Sequence, residues 1–253
     1  MEHVQLERDG RVLIATMARG KANALNAAFV EELHQVVAQA RDDASVGSLV
    51  IASANPRLYS AGLDLGEVFA YDDARMTRFF ERFVLLLDDL RAVPKGVVAA
   101  VSGHAYAGGA LIALACDFRV MADGDFGFAL NEVDLGLVLP AAAARWIAPV
   151  LGGAAREVLI AGMPVSPQRA YAVGLATAVV PPEAVRERAV ALARSLAEKP
   201  PLGFAAIKQA VNEATGGVAD AETRRGFVDE FMRFWTGTES RQRRQALAAS
   251  LKG

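Results

Sequence analysis

Cysteine is nearly absent from this chain: Cys116 stands alone. A single thiol can form neither an internal disulfide nor a cysteine-based metal site, so a reducing compartment is expected. Histidine is scarce too, with His3, His34 and His104 far apart and without ligand-like neighbours, and no metal is expected. Excess positive charge is also missing. The 27 Lys and Arg against 29 Asp and Glu leave a net charge of −2, which gives no field to gather a nucleic acid. The opening MEHVQLERDG is acidic and lacks an apolar stretch of signal-peptide length, so secretion is not expected and a cytoplasmic location is. Repeats of fixed period and low-complexity tracts are lacking as well. One uncharged run, the 21 residues Gly96 to Cys116, is long enough to span a bilayer. Gly103, Gly108 and Gly109 interrupt it, Ser102 and His104 sit at its centre, and its β-branched first half gives way to an Ala/Leu-rich second half. It reads as a buried strand, a turn and a buried helix, with no membrane role.

What is present is a large apolar fraction, 53% of 253 residues, enough for a sizeable core. Val4 to Glu7 and Val12 to Met17 flank Asp9-Gly10 and predict a hairpin. Asn26 can cap a helix whose Val30, Leu33, Val37 and Ala40 recur at helical spacing. A strand over Ser48 to Ala52 and a loop from Asn55 to Val68 precede a helix with Phe79, Phe80, Phe83, Leu86, Leu87 and Leu90 on one stripe, stopped by Pro94. Strand Val97 to Val101, helix Gly108 to Ala115 and strand Phe118 to Met121 continue the alternation of an α/β core. A short helix capped by Ser166 and closed by Gly174 leads to a strand over Leu175 to Val180. Beyond Pro181-Pro182, the segments Glu183 to Lys199, Leu202 to Thr215, Val218 to Trp235 and Glu239 to Leu251 all read helical. The expected organisation is an α/β core over residues 1–182 and a helical region over 183–253.

Three loops carry residues that packing alone does not demand: Tyr59 to Leu65, Ala107 to Leu111, and Leu130 to Gly136. Each is expected to follow a strand. A glycine at a strand end lets backbone N–H groups turn toward a ligand, and in the second loop they also open a helix, whose free donors and dipole favour an oxyanion. Two such loops could converge on one oxygen.

In order and spacing these motifs resemble the crotonase, or enoyl-CoA hydratase/isomerase, family. The likeness runs from Lys21-Ala22-Asn23-Ala24-Leu25 through Ser60-Ala61-Gly62-Leu63-Asp64-Leu65 and Gly103 to Asp117, and on to Gly162 and the Ala170 to Val180 segment. It implies an α/β fold, the ClpP-like spiral of β-β-α units with a helical C-terminal region, assembled as a homotrimer or dimer of trimers. It implies an acyl-CoA thioester as substrate, coenzyme A arriving as part of it, and no further cofactor. By the same resemblance the N–H groups of Leu63 and Gly108 form an oxyanion hole, and Ala22, Ala61, Asp64 and Leu65 border the nucleotide and pantetheine. Such a hole stabilises the charge that builds on a thioester oxygen when an adjacent carbon loses a proton.

The carboxylates divide the family. Hydratases use two glutamates; Leu111 occupies the place of one, and Glu132 matches the other. One base suffices to shift a double bond, taking a proton from C2 of a 3-enoyl thioester and returning it at C4. Leu130-Asn131-Glu132 followed by Leu135-Gly136 looks like the mitochondrial-type Δ3,Δ2-enoyl-CoA isomerases of fatty acid β-oxidation, and Phe227 to Leu251 is similar too. Pro140 stands where dienoyl-CoA isomerases of the family need an aspartate. The expected catalytic groups are therefore Glu132, Leu63 and Gly108, with Leu111 and Asn131 beside the substrate. Hydration of 2-enoyl-CoA and noncatalytic acyl-CoA binding are the alternatives.

Several readings stay open at this level. Glu132 is either a base, its pKa raised by Leu111, Val133, Leu135 and Leu137, or a surface glutamate, or the partner of a core arginine such as Arg145. Asp134 should face elsewhere if the segment is extended. Asn131 serves either the base or substrate or a turn. His104 is a base, or a core or turn residue. Arg241, Arg243, Arg244 and Lys208 either meet CoA phosphates or form a solvated face. The Phe227, Phe231, Phe234 and Trp235 stripe is core or interface, or an acyl-pocket lid.

Overall fold

The computed structural model describes residues 1–250, so the expected end of the last helix at Leu251 lies outside the described residues. The chain opens with the antiparallel hairpin β1 (Val4–Asp9) and β2 (Val12–Met17) around Gly10, as its turn chemistry predicts. Helix α1 (Ala27–Asp42) starts where Asn26 accepts a hydrogen bond from the Phe29 N–H, and it buries Val30, Leu33, Val37 and Ala40.

Three β-β-α units follow, and each winds one turn of a spiral. The first is β3 (Ser48–Ser53), β4 (Leu58–Ser60), the short α2 (Leu65–Val68) and the long α3 (Asp73–Ala92). The second is β5 (Gly96–Val101), β6 (His104–Tyr106) and α4 (Gly108–Ala115). The third is β7 (Phe118–Ala122), β8 (Phe128–Ala129) and α5 (Ala141–Leu151). After α6 (Ala155–Leu159) and α7 (Pro167–Ala172), strand β9 (Ala178–Val180) returns to the sheet. Helices α8 (Val185–Ala197), α9 (Pro201–Ala214), α10 (Ala221–Trp235) and α11 (Thr238–Ser250) complete the chain.

The strands form two sheets, a six-stranded one in the order β1-β2-β3-β5-β7-β9, parallel beyond the hairpin, and a three-stranded parallel one in the order β4-β6-β8. The central strands β2, β3, β5 and β7 of the large sheet are buried on both faces, which is why they read as nearly unbroken apolar runs, whereas edge strand β1 is largely exposed and polar. Val12, Ile14, Val50, Val98 and Val120 face Ala189, Val190 and Ala193 of α8, while Leu13, Leu49, Ile51, Val97 and Val101 face the main core with α1 and α3. Helix α8 thus closes the outer face of the sheet, and α10 packs along α3.

Several expectations are corrected here. The segment Asn55 to Val68 is not a plain loop, since it contains β4 and α2. Leu175, Ala176 and Thr177 precede the strand rather than begin it; the Leu175 carbonyl is taken by the buried Arg119 guanidinium. The residues between Gly96 and Cys116 form strand, short strand and helix, and among the described residues no helix is long and apolar enough to cross a membrane.

Cys116 is buried at the end of α4, its thiol donating to the Ile112 carbonyl, and desolvation pushes its pKa up to about 12. The native protein is expected to resist thiol alkylation at pH 8 and to take up one label only after denaturation, which mass spectrometry of iodoacetamide-treated samples would read.

Candidate active site

The three site loops leave the carboxyl ends of β4, β6 and β8, which is where parallel sheets gather their ligands. The first loop is pinned beside Leu25. The Leu25 N–H donates to the Gly62 carbonyl at 2.7 Å, and the Asp64 N–H donates to the Leu25 carbonyl at 2.9 Å. Because the groups along a parallel bridge alternate in direction, the intervening Leu63 N–H points away from Leu25, and among the described residues nothing accepts it. Buried Asn23 fastens the same loop from behind, donating to the Ser53 hydroxyl and the Tyr59 carbonyl, while the Ser60 hydroxyl donates back to the Asn23 carbonyl at 2.7 Å.

The second loop supplies the Gly108 N–H, the first of α4, which has no acceptor within the helix by geometry and none elsewhere among the described residues. Ala107, immediately before it, is held at φ +45° and ψ −123°, a conformation that costs a non-glycine residue of order 1–3 kcal/mol and is kept only where surroundings enforce it. The Ala107 N–H is anchored to the Ala129 carbonyl of β8 at 2.9 Å, and at the far end of α4 Arg119 donates to the Ala113 and Cys116 carbonyls. The two loops meet closely. A Cβ built on Gly62 would lie 3.1 Å from the Gly108 nitrogen, and one on Gly109 would lie 2.5 Å from the Ser60 Cβ.

The third loop is not extended but forms a 3-10 turn over Glu132–Leu135, closed by Gly136 at φ +62°. Asp134 consequently sits on the exposed side of a turn, and its carbonyl accepts from Arg243 of α11 at 3.2 Å. Glu132 points the other way. Its Oε2 is buried with no hydrogen-bond partner among the described residues, although the residue as a whole is only half-buried. Burial pushes the carboxyl pKa from its ordinary 4.5 up to about 7, offset only by the residue's own N–H. No ion pair to Arg145 is made among the described residues, and Arg145 is exposed. Of the apolar neighbours expected around the carboxyl, Leu111, Leu135 and Leu137 line the cavity; Val133 does not, being 44% exposed on the outer side of the turn.

Glu132, Leu63, Gly108, Ala61, Leu65, Leu111 and Asn131 all line one cavity of about 130 Å³. Ala22 and Asp64 do not line it. The Ala22 carbonyl accepts from the Ala61 N–H at 3.0 Å, and Asp64 caps α2 while pairing with Arg19 at 2.7 Å. Asn131 caps no turn with its side chain, which leaves its amide free to face the cavity.

The family model described as enoyl-CoA hydratase/isomerase matches residues 7–249. The chain belongs to this family. It is 33% identical to the carnitinyl-CoA dehydratase of Escherichia coli strain K12 over 82% of this chain and 79% of the relative. To the short-chain-enoyl-CoA hydratase of Clostridium acetobutylicum it is 28% identical over 91% of this chain and 88% of the relative. The crystal structure of human mitochondrial Δ3,Δ2-enoyl-CoA isomerase matches it with a TM-score of 0.89 at 26% identity, over 99% of this chain and 98% of that one. The spiral of β-β-α units is therefore the crotonase fold, and the protein is an acyl-CoA enzyme of that class.

Other walls of this crotonase cavity come from the α3 stripe, which was legible only as core, and from the aromatic stripe of α10, for which a pocket lid was one of the expected roles. Phe80, Phe83, Val84 and Leu87 of α3 face it, with Phe227, Phe231 and Trp235 of α10 opposite. Phe80 stacks on Phe231 with ring centroids 3.6 Å apart, and Phe231 on Trp235 at 5.8 Å, so three of the four aromatic residues of that stripe do close the pocket, whereas Phe234 is 39% exposed. The basic candidates part company. Lys208 is buried in an ion pair with Asp117 at 2.8 Å, which removes it from any phosphate. Arg244 lies over the Trp235 ring at 3.6 Å and donates to the Trp235 carbonyl, Arg243 pairs with Glu239, and Arg241 donates to the Thr236 carbonyl. His104 opens β6, accepts the Gly127 N–H through Nδ1 and stacks on Tyr106 outside the cavity, a structural role in a strand rather than in a turn, and not that of a base.

Proposed function

We propose that the protein isomerises 3-enoyl-CoA to 2-trans-enoyl-CoA with Glu132 as the sole proton shuttle. The observation that carries this reading is a single buried carboxyl, poised near neutrality, sharing a cavity with two unpaired backbone amides and with Leu111 where a second carboxylate would be needed to hold water. The thioester oxygen accepts from the Leu63 and Gly108 N–H groups. The Glu132 carboxylate removes a proton from C2, and the electron pair of that C–H bond spreads over C2, C4 and the oxygen as a dienolate. The same carboxylic acid then delivers the proton to C4, so the double bond moves from C3–C4 to C2–C3 and the enzyme returns to its starting state. Fixed amides in an apolar cavity stabilise the dienolate as it forms, each worth about 3 kcal/mol of barrier.

Likeness to the human isomerase supports the same choice, while the two relatives named as hydratase and dehydratase favour water addition as the second reading. Purified protein given 3-hexenoyl-CoA and crotonyl-CoA separately decides between them: isomerisation is expected to dominate, and hydration outpacing it would reverse the order. Leu111→Glu adds the missing group on a side chain only 5% exposed and facing the cavity. Crotonyl-CoA hydration is expected to rise roughly tenfold or more, the low end of what a positioned acid or base supplies. No gain in a folded variant would mean that this side chain does not reach the reacting carbons.

The reading also carries assembly as a homotrimer or dimer of trimers in the cytoplasm, without metal or redox cofactor. Exposed Leu202, Ile207 and Val211 on α9 give such an assembly an apolar surface to cover.

A further inference from the structure

Between α3, α4 and α10 lie two chambers. The first is the cavity of about 130 Å³ that holds Glu132. The second, of about 190 Å³, is lined by Asp88, Arg145, Trp146, Asp220 and Thr223 on its far side. Their common wall is one side chain thick and consists of Val84, Leu87, Leu111 and Phe227, each between 4% and 8% exposed. The chambers differ in character. The first is apolar apart from Glu132, Asn131 and the amides, whereas the second ends on the buried Asp88 carboxylate, paired with Arg224 at 3.3 Å and near Arg91 at 4.0 Å.

We infer that this wall is a chain-length stop and that the acyl group accepted is short, about six carbons with the carbonyl included. The inference rests on the reading of the Glu132 cavity as the acyl site. An apolar cavity of about 150 Å³ takes up benzene, so a slightly smaller one holds roughly five carbons beyond a carbonyl seated at the amides. A longer chain must push Leu87 or Val84 aside and lay its end against charged groups that gain nothing from hydrocarbon, which penalises it twice. Phe80, stacked on Phe231, joins α3 to α10 along another side of the cavity.

Two measurements keep this inference separable from the proposed reaction. Calorimetric binding of butyryl-, hexanoyl-, octanoyl- and decanoyl-CoA reads the pocket whatever chemistry follows, because these saturated thioesters do not react. Affinity is expected to hold or rise up to hexanoyl and to fall about tenfold or more by decanoyl, the scale on which a filled apolar pocket rejects extra methylenes. Leu87→Ala and, with a smaller void, Val84→Ala open the wall, and each is expected to raise the decanoyl-to-hexanoyl affinity ratio about tenfold. The ratio of kcat/KM on 3-decenoyl- over 3-hexenoyl-CoA should rise in parallel. Decanoyl-CoA binding the wild type as tightly as hexanoyl-CoA overturns the stop, as does an unchanged ratio in variants whose circular dichroism shows them folded. Loss of isomerisation in the wild type with the binding profile intact would count against the reaction and leave the stop standing.

Discussion

Glu132→Gln is expected to lower kcat for 3-hexenoyl-CoA isomerisation by about 10³-fold, within the range of roughly 10²–10⁴ that a positioned general base contributes, with little change in KM. The substitution keeps the shape of the side chain but removes its capacity to accept and return a proton. Substrate binding rests instead on the apolar walls and the two amides, which the variant leaves in place. In the wild type the active form is the carboxylate, so kcat/KM should rise with pH through about 7 and level off above it, following the raised pKa of this group. A folded Glu132→Gln protein with undiminished isomerisation would remove the residue from the mechanism.

The same substitution is expected to stabilise the protein. The carboxyl titrates near its ordinary 4.5 when the chain is unfolded and near 7 when it is folded, so between those values the folded state holds the proton that the unfolded state has released. Stability therefore declines as pH rises across that window, by up to about 3 kcal/mol, and the cost is absent below it. Gln carries no charge to desolvate. Chemical denaturation at pH 4 and pH 8 should show the two proteins nearly equal at the lower pH and the variant more stable at the higher one. An opposite trend would mean that the carboxyl is solvated.

How much of this was legible in the sequence depends on element length. The hairpin at Gly10, the Asn26-capped α1, the apolar stripe of α3 and the helical run from Val185 onward all carry patterns long enough for hydrophobic periodicity to register. Strands β4, β6 and β8 are two or three residues each, too short for any alternation, yet they form the sheet that brings the three loops to one place. The glycines marked the loops without marking the strands beneath them. The backbone form of the Glu132 loop was not legible, so Val133 was expected beside the carboxyl, whereas Gly136 closes a 3-10 turn that sends Val133 outward. A stripe such as Phe80, Phe83, Val84 and Leu87 looks the same whether it meets another helix or an empty chamber, so the acyl pocket could not be separated from the core. Lys208 was likewise ambiguous, since a lone cation on an apolar helix does not announce the half-buried Asp117 that holds it.

Gly62→Ala is expected to lower kcat by about 10²–10³-fold, comparable to the loss of one oxyanion donor, although Gly62 itself does not line the cavity. Gly62 sits at φ +88°, where an L side chain is strained, and an added Cβ would meet the Ala107 Cβ at 2.9 Å, the Tyr106 carbonyl oxygen at 3.0 Å and the Gly108 nitrogen at 3.1 Å. Two of these atoms are backbone and cannot rotate away, so one loop must retreat from the other. The Leu63 and Gly108 N–H groups then no longer point at a common oxygen. Because those donors act on charge that appears only as the dienolate forms, the loss should fall on kcat, with KM changing by less than about tenfold. Stability should drop by about 1–2 kcal/mol from the backbone strain alone, small enough for the variant to be assayed folded. Equal kcat in Gly62→Ala and wild type would mean that the approach of these two loops does not build the oxyanion site, and the charge on the thioester oxygen would have to be stabilised from somewhere else in the cavity.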